Sequence, residues 1–251
     1  MLNLSTENWE IKNIDTVLFD KDGTFIDLHY FWGKMTELRA EEVIKRFDMK
    51  PELFSNLCLS LGYDNESCKM LKDGITALYS RQKIIEIFKG NLKDLGVDTT
   101  DKVLETIFDE VSDKFYKDMQ KYTKPIDSAI SFIRELNKNG IKCGIVTSDS
   151  VESTKLTLKH FGWENLFGVV IGRESTKENK ESGVGTRMAL DILNSNPQNT
   201  VMIGDAPMDY IAAKNAGIEN TILVATGQIE KDDLFKTSPY VVKELSKIDF
   251  N

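Results

Sequence analysis

Thr16-Val17-Leu18-Phe19-Asp20-Lys21-Asp22-Gly23-Thr24 (TVLFDKDGT) decides how the rest of the chain is read. Its apolar run is too short for a helix and is stopped by the turn residue Gly23, so it predicts a buried strand that ends on acids. Similar short runs end at Thr147 (Ile141 to Thr147, IKCGIVT), Ile171 (Val169 to Ile171), Asp205 (Thr200 to Asp205, TVMIGD) and Val224 (Thr221 to Val224). Helical patterns lie between the later ones, over Ile126 to Asn139, Val151 to Phe161, Gly185 to Leu193 and Tyr210 to Ala216. Strands alternating with helices call for right-handed crossovers and a parallel sheet covered on both faces. The predicted fold class is α/β, with a doubly wound parallel sheet.

The alternation breaks between the first strand and Lys124-Pro125. From Leu28 to Lys121 apolar residues recur at helical spacing instead, as in Leu104, Phe108, Val111, Phe115 and Met119, and no strand is read. This stretch predicts an all-helical insertion. The expected division is a core of residues 1–27 and 122–251 with an inserted unit of residues 28–121. The two ends, before Lys12 and after Leu245, read as weakly tethered tails.

Composition narrows the function classes. Of 251 residues, 41% are apolar and 29% charged, close to the globular average, which excludes a disordered or fibrous chain. No apolar stretch approaches the roughly 18 residues of a membrane span, and Met1 to Lys12 has no basic leader before an apolar segment. The expected location is cytoplasmic. With 32 basic against 40 acidic residues the net charge is −8, and no basic run is present to displace counterions from a polyanion. Nucleic acid and anionic membranes are therefore not expected partners. Cys58, Cys68 and Cys143 form no CxxC pair and read as reduced core thiols.

Chemistry concentrates at strand ends. Asp20 and Asp22 stand one residue apart at the carboxyl end of the first strand, where open α/β sheets bind ligands. Two acids so close repel unless a cation neutralises them or one holds a proton. Thr147 and Ser148 follow the next strand and precede a helix, where hydroxyls and backbone N–H groups can hold an anion. Gly204-Asp205 and Asp209 put acids four apart after another strand, and Lys180 lies in the polar segment Arg173 to Gly185. Each alone has an ordinary explanation as a turn, an N-cap or a solvated charge. Acid pair, hydroxyl, lysine and acid pair in that order form a far more specific constellation.

That order resembles the haloacid dehalogenase superfamily, with its DxDGT motif, a Thr or Ser after an apolar strand, a Lys, and a GDxxxD motif. The matching positions are Asp20-Lys21-Asp22-Gly23-Thr24, Thr147, Lys180, and Gly204-Asp205 with Asp209. The helical insertion after the first motif resembles the subgroup with a helical cap, which includes phosphoglycolate phosphatase and β-phosphoglucomutase. The resemblance implies a Mg²⁺-dependent phosphatase of a small phosphorylated metabolite, monomeric or homodimeric. It implies Asp20 as nucleophile and Asp22 as acid–base. Asp20, Asp205 and the Asp22 backbone carbonyl would be metal ligands, with Asp209 acting through a metal-bound water. Thr147, Ser148 and Lys180 would hold phosphate.

Alternatives from the same residues are a phosphoryl-transferring mutase and a non-catalytic phospho-ligand sensor. A halide hydrolase has no leaving alkoxide to protonate, which counts against it here. Lys177 competes with Lys180 because no proline follows Lys180. Lys21 is expected to point away from its neighbours and to take no part. His29 and Trp32, just past the first motif, are candidate substrate contacts of the cap, or else packing for its first helix.

Overall fold

The computed structural model describes Met1–Asn251. Two units partition it, one made of Met1–Asp27 with Pro125–Asn251 and the other of Leu28–Lys124. The first unit begins with β1 (Leu2–Ser5), β2 (Glu10–Ile14) and β3 (Thr16–Phe19). Every residue of β3 is buried, as a central parallel strand covered on both faces requires.

The second unit starts with α1 (Leu28–Arg46) and α2 (Phe54–Ser60). The ribbon β4 (Tyr63–Asp64) and β5 (Lys69–Met70) follows, then α3 (Ile75–Leu78), α4 (Arg81–Asp94), α5 (Asp101–Lys117) and α6 (Met119–Tyr122). Ser80 and Thr100 start α4 and α5 by accepting the Lys83 and Val103 N–H groups on their side chains. The buried face of α5, Leu104, Ile107, Phe108, Val111 and Phe115, has the three-and-four spacing of an amphipathic helix, and Phe115 meets Phe31 of α1 edge-on at 4.9 Å. Two expectations need correction here. The insertion is not wholly helical, because Tyr63 pairs with Met70 in an antiparallel ribbon too short to carry a period-two pattern. Its end lies at Lys124 instead of Lys121, since α6 keeps the chain helical through Tyr122.

Back in the first unit come α7 (Asp127–Lys138), β6 (Lys142–Val146), α8 (Val151–Phe161), β7 (Val169–Ile171) and α9 (Val184–Leu193). They are followed by β8 (Thr200–Gly204), α10 (Pro207–Asn215), β9 (Asn220–Val224), α11 (Lys231–Leu234), β10 (Tyr240–Val242) and β11 (Asp249–Phe250). The parallel sheet has six strands in the order β10-β9-β8-β3-β6-β7. From β3 the chain moves outward through β6 and β7, then returns to the other flank of β3 as β8 and continues outward again. The switch point therefore lies beside β3, where ligands bind in this class of sheet. Leu18, Val146, Ile171, Ala189, Leu190, Met202 and Ala213 pack in one core cluster that joins the sheet to α9 and α10. No helix is long and apolar enough to cross a membrane.

The ends are not tails. β11, β1 and β2 form a three-stranded antiparallel sheet in which Leu4 lies opposite Phe250. Asn3 donates to the Asn251 carbonyl at 2.8 Å and Asn251 returns the bond at 3.0 Å. These strands are short and polar, and the partner of β1 lies at the opposite end of the sequence, so no local pattern announces them. Leu4 is fully buried. Leu4→Ala is expected to lower unfolding free energy by about 2–5 kcal/mol in urea titration, as for a core leucine; a loss under about 0.5 kcal/mol, the range of surface substitutions, would restore the tail reading. Cys68 is a further correction: it is exposed, while Cys58 and Cys143 are buried, where burial pushes both thiols up to about 12.

Candidate active site

The first acid pair sits where β3 ends. The Asp20 N–H bonds to the Ile203 carbonyl of β8 at 2.8 Å, and the chain then turns tightly as the Lys21 carbonyl accepts N–H groups from Thr24, Phe25 and Ile26. Gly23, at φ +84°, makes that turn against the Asp205 carboxylate, into which any Cβ at this position would project. Gly227, in the loop after β9, approaches the same carboxylate from another direction and has no room for a Cβ either. Thr226 joins the two walls through a hydrogen bond from its hydroxyl to the Gly23 carbonyl. Asp205 is thus gripped between two backbone segments, one of which the sequence pattern did not single out.

Lys180, on the short turn Lys180–Ser182, sends its ammonium 2.6 Å from Asp20 Oδ1 and 2.6 Å from Asp209 Oδ1. Lys177 is exposed. Asp209, in the first turn of α10, also accepts the Ala206 N–H on Oδ2 at 3.0 Å, so both its oxygens are engaged. The carboxylates of Asp20, Asp205 and Asp209 are all buried and offer oxygens within 4.8 Å of one another. Burial and the neighbouring carboxylates hold Asp205 well above the ordinary range, and burial pushes Asp209 up to about 6 against the pull of Lys180. A single ammonium among three buried acids leaves an excess of negative charge, and the donors are all oxygens. This group could hold a metal ion, and its donor set fits a hard divalent cation.

Thr147 stands just past β6, buried, its Oγ1 accepting the Asp149 N–H at 3.1 Å, while Ser148 is exposed beside Met208, with Oγ 3.9 Å from Sδ. Asp22 meets Lys21, which does not point away from its neighbours as strand alternation predicts. Lys21 is completely buried, with Nζ 2.7 Å from Asp22 Oδ1 and 3.1 Å from Asp149 Oδ2. Strand alternation does not govern Lys21, because the chain has already left β3 for the turn. Burial pushes Asp22 up to about 6, with Lys21 opposing it. His29 and Trp32 belong to the first turns of α1 in the second unit. There His29 Nδ1 accepts the Met70 N–H at 3.1 Å, and Trp32 packs edge-on against Phe31 at 5.4 Å.

A family model for haloacid dehalogenase-like hydrolases matches residues 65–224, the stretch that carries Thr147, Lys180, Asp205 and Asp209. The chain belongs to that family. Among related haloacid dehalogenase-like proteins, a phosphoglycolate phosphatase of Neisseria meningitidis is 27% identical over 84% of this chain and 80% of its own. A pyrophosphatase PpaX of Bacillus cereus is 24% identical over 81% and 80%. In fold, the chain resembles the crystal structure of a HAD-superfamily hydrolase, subfamily IA, variant 1, from Geobacter sulfurreducens. The TM-score is 0.64 at 15% identity, covering 97% of each chain. The α/β class read from the strand pattern is the fold of these hydrolases.

Proposed function

We propose that the chain is a Mg²⁺-dependent phosphatase of small phosphomonoesters that works through an aspartyl-phosphate on Asp20. The observation that carries this reading is the Lys180 ammonium, 2.6 Å from both Asp20 and Asp209 beside Asp205, where β3 and β8 end. A carboxylate approaches a phosphate dianion only when charge is offset. Lys180 does part of this and keeps the Asp20 oxygen aimed. Asp20 and Asp205, with the Asp22 backbone carbonyl, would hold Mg²⁺, which when bound neutralises phosphate charge. Asp209, with both oxygens already engaged, orients Lys180 and acts through a bound water.

Asp20 attacks phosphorus as the ester P–O bond breaks, and Asp22 gives its proton to the leaving oxygen. Asp22 then takes a proton from the water that cleaves the Asp20–phosphorus bond, which regenerates both acids. Because its Oγ1 accepts from Asp149, the Thr147 hydroxyl has its proton free to donate to a phosphate oxygen, and Ser148 supplies a second donor. The named activities of the relatives set the panel: 2-phosphoglycolate, inorganic pyrophosphate and sugar phosphates, each assayed for phosphate release. Turnover is expected with Mg²⁺, to stop in EDTA, to return with Mg²⁺, and to recover poorly with the larger Ca²⁺. Full activity in excess EDTA would remove the metal from the reaction, and transfer of phosphate between sugar positions without release would make the chain a mutase.

A further inference from the structure

Two buried ammoniums lie where β3 ends, and only Lys180 has a part in the proposed reaction. Lys180 bridges Asp20 to Asp209, which lies beyond β8. Lys21 bridges Asp22 to Asp149, which lies beyond β6, on the other flank of β3. The second bridge is firmly built. Asp149 Oδ2 also accepts the Ser153 hydroxyl at 2.7 Å, its Oδ1 accepts the Ser150 N–H at 2.7 Å, and its carbonyl accepts the Arg173 N–H at 3.0 Å. Burying an ammonium carries a large desolvation penalty that its partners must offset, so a fully buried lysine in a tight turn is a poor space-filler. Asp22 itself stands in that turn, past the end of β3, where an isolated bridge to Ile26 replaces the ladder of the six-stranded sheet.

We propose that Lys21 is a positioning residue for Asp22, tying the carboxyl that exchanges protons with the leaving oxygen to the anchored Asp149. This rests on the reading of Asp22 as acid–base. With Oδ1 held by the ammonium, the proton passes through Oδ2, and the direction of that oxygen is set by Asp149, Ser150 and Ser153. Proton transfer is sensitive to such placement: a shift of about 1 Å costs on the order of 10²-fold in rate. The same bridge links Asp22 to Thr147, whose Oγ1 accepts the Asp149 N–H. Phosphate binding and proton transfer then share one bonded network across the ends of β3 and β6.

Leaving groups separate positioning from packing. An alkyl phosphate needs a proton on its departing oxygen, whereas 4-nitrophenyl phosphate releases a stable phenolate without one. In Lys21→Met the kcat for the best alkyl ester of the panel is expected to fall about 10²-fold with KM changed less than about threefold. The pre-steady-state burst of nitrophenol should keep its rate within about threefold. Asp149→Asn, which keeps the side-chain shape, should show the same split at smaller size, and serves if Lys21→Met does not fold. Equal losses on both esters in both variants, a loss confined to KM, or no loss would overturn the role of Lys21. Asp22→Asn runs as the reference: if it shows no leaving-group split, the assignment of Asp22 as acid–base is what fails.

Discussion

Asp20→Asn should lower kcat by about 10⁴-fold or more on every phosphate ester and leave the thermal transition within a few degrees of the parent. The amide has nearly the shape of the carboxylate but no electron pair able to attack phosphorus, so the covalent step is lost outright. Folding has little reason to suffer. Lys180 keeps its contact with Asp209, and one of three mutually repelling buried acids becomes neutral. Mass spectrometry of enzyme quenched during turnover should find phosphate on the parent chain at Asp20 and none on the variant. Near-normal turnover by Asp20→Asn would end the aspartyl-phosphate mechanism.

Lys180→Met should have the second large effect, reaching stability as well as rate. Removing one partner of a buried ion pair leaves the other charges uncompensated, which typically costs about 3–5 kcal/mol. Here it strands Asp20 and Asp209 together beside Asp205. The urea midpoint of Lys180→Met should therefore drop sharply in EDTA and recover in part when Mg²⁺ is added, because a ligand that binds only the folded state stabilises it by mass action. The recovery should exceed that of the parent, since the more negative cluster binds a divalent ion more tightly. Activity should not recover, because the ammonium that offsets phosphate charge is gone. Equal Mg²⁺ stabilisation of parent and variant would show that Lys180 and the metal do not share a field.

Sequence displayed the parts of the site that are local. Asp20 and Asp22 follow an apolar run and precede a glycine turn, Asp205 ends another such run, and a strand end in an open parallel sheet is a binding position whatever the chemistry. It was silent where function arises from neighbours that only the fold creates. Lys21 flanked by two acids was visible, yet its bond to Asp149 depends on β3 and β6 lying side by side and on the turn having abandoned strand geometry. Gly227 offered even less, since a glycine in a loop is ordinary until the Asp205 carboxylate is found pressed against it. The terminal strands failed for a related reason: β1 and β11 are each too short to show a pattern, and their pairing spans nearly the whole sequence.

That last pairing bears on the order in which the protein can be made. Synthesis is vectorial, and early segments generally fold as they emerge. β1 is synthesised well before its neighbour on one side, Asp249–Phe250. Until Asp249–Phe250 is made, the nascent chain carries β1 with an open edge, and an open edge is a template for pairing with other chains. The strand is only four residues long and includes the polar Asn3 and Ser5, a poor seed for aggregation during the wait.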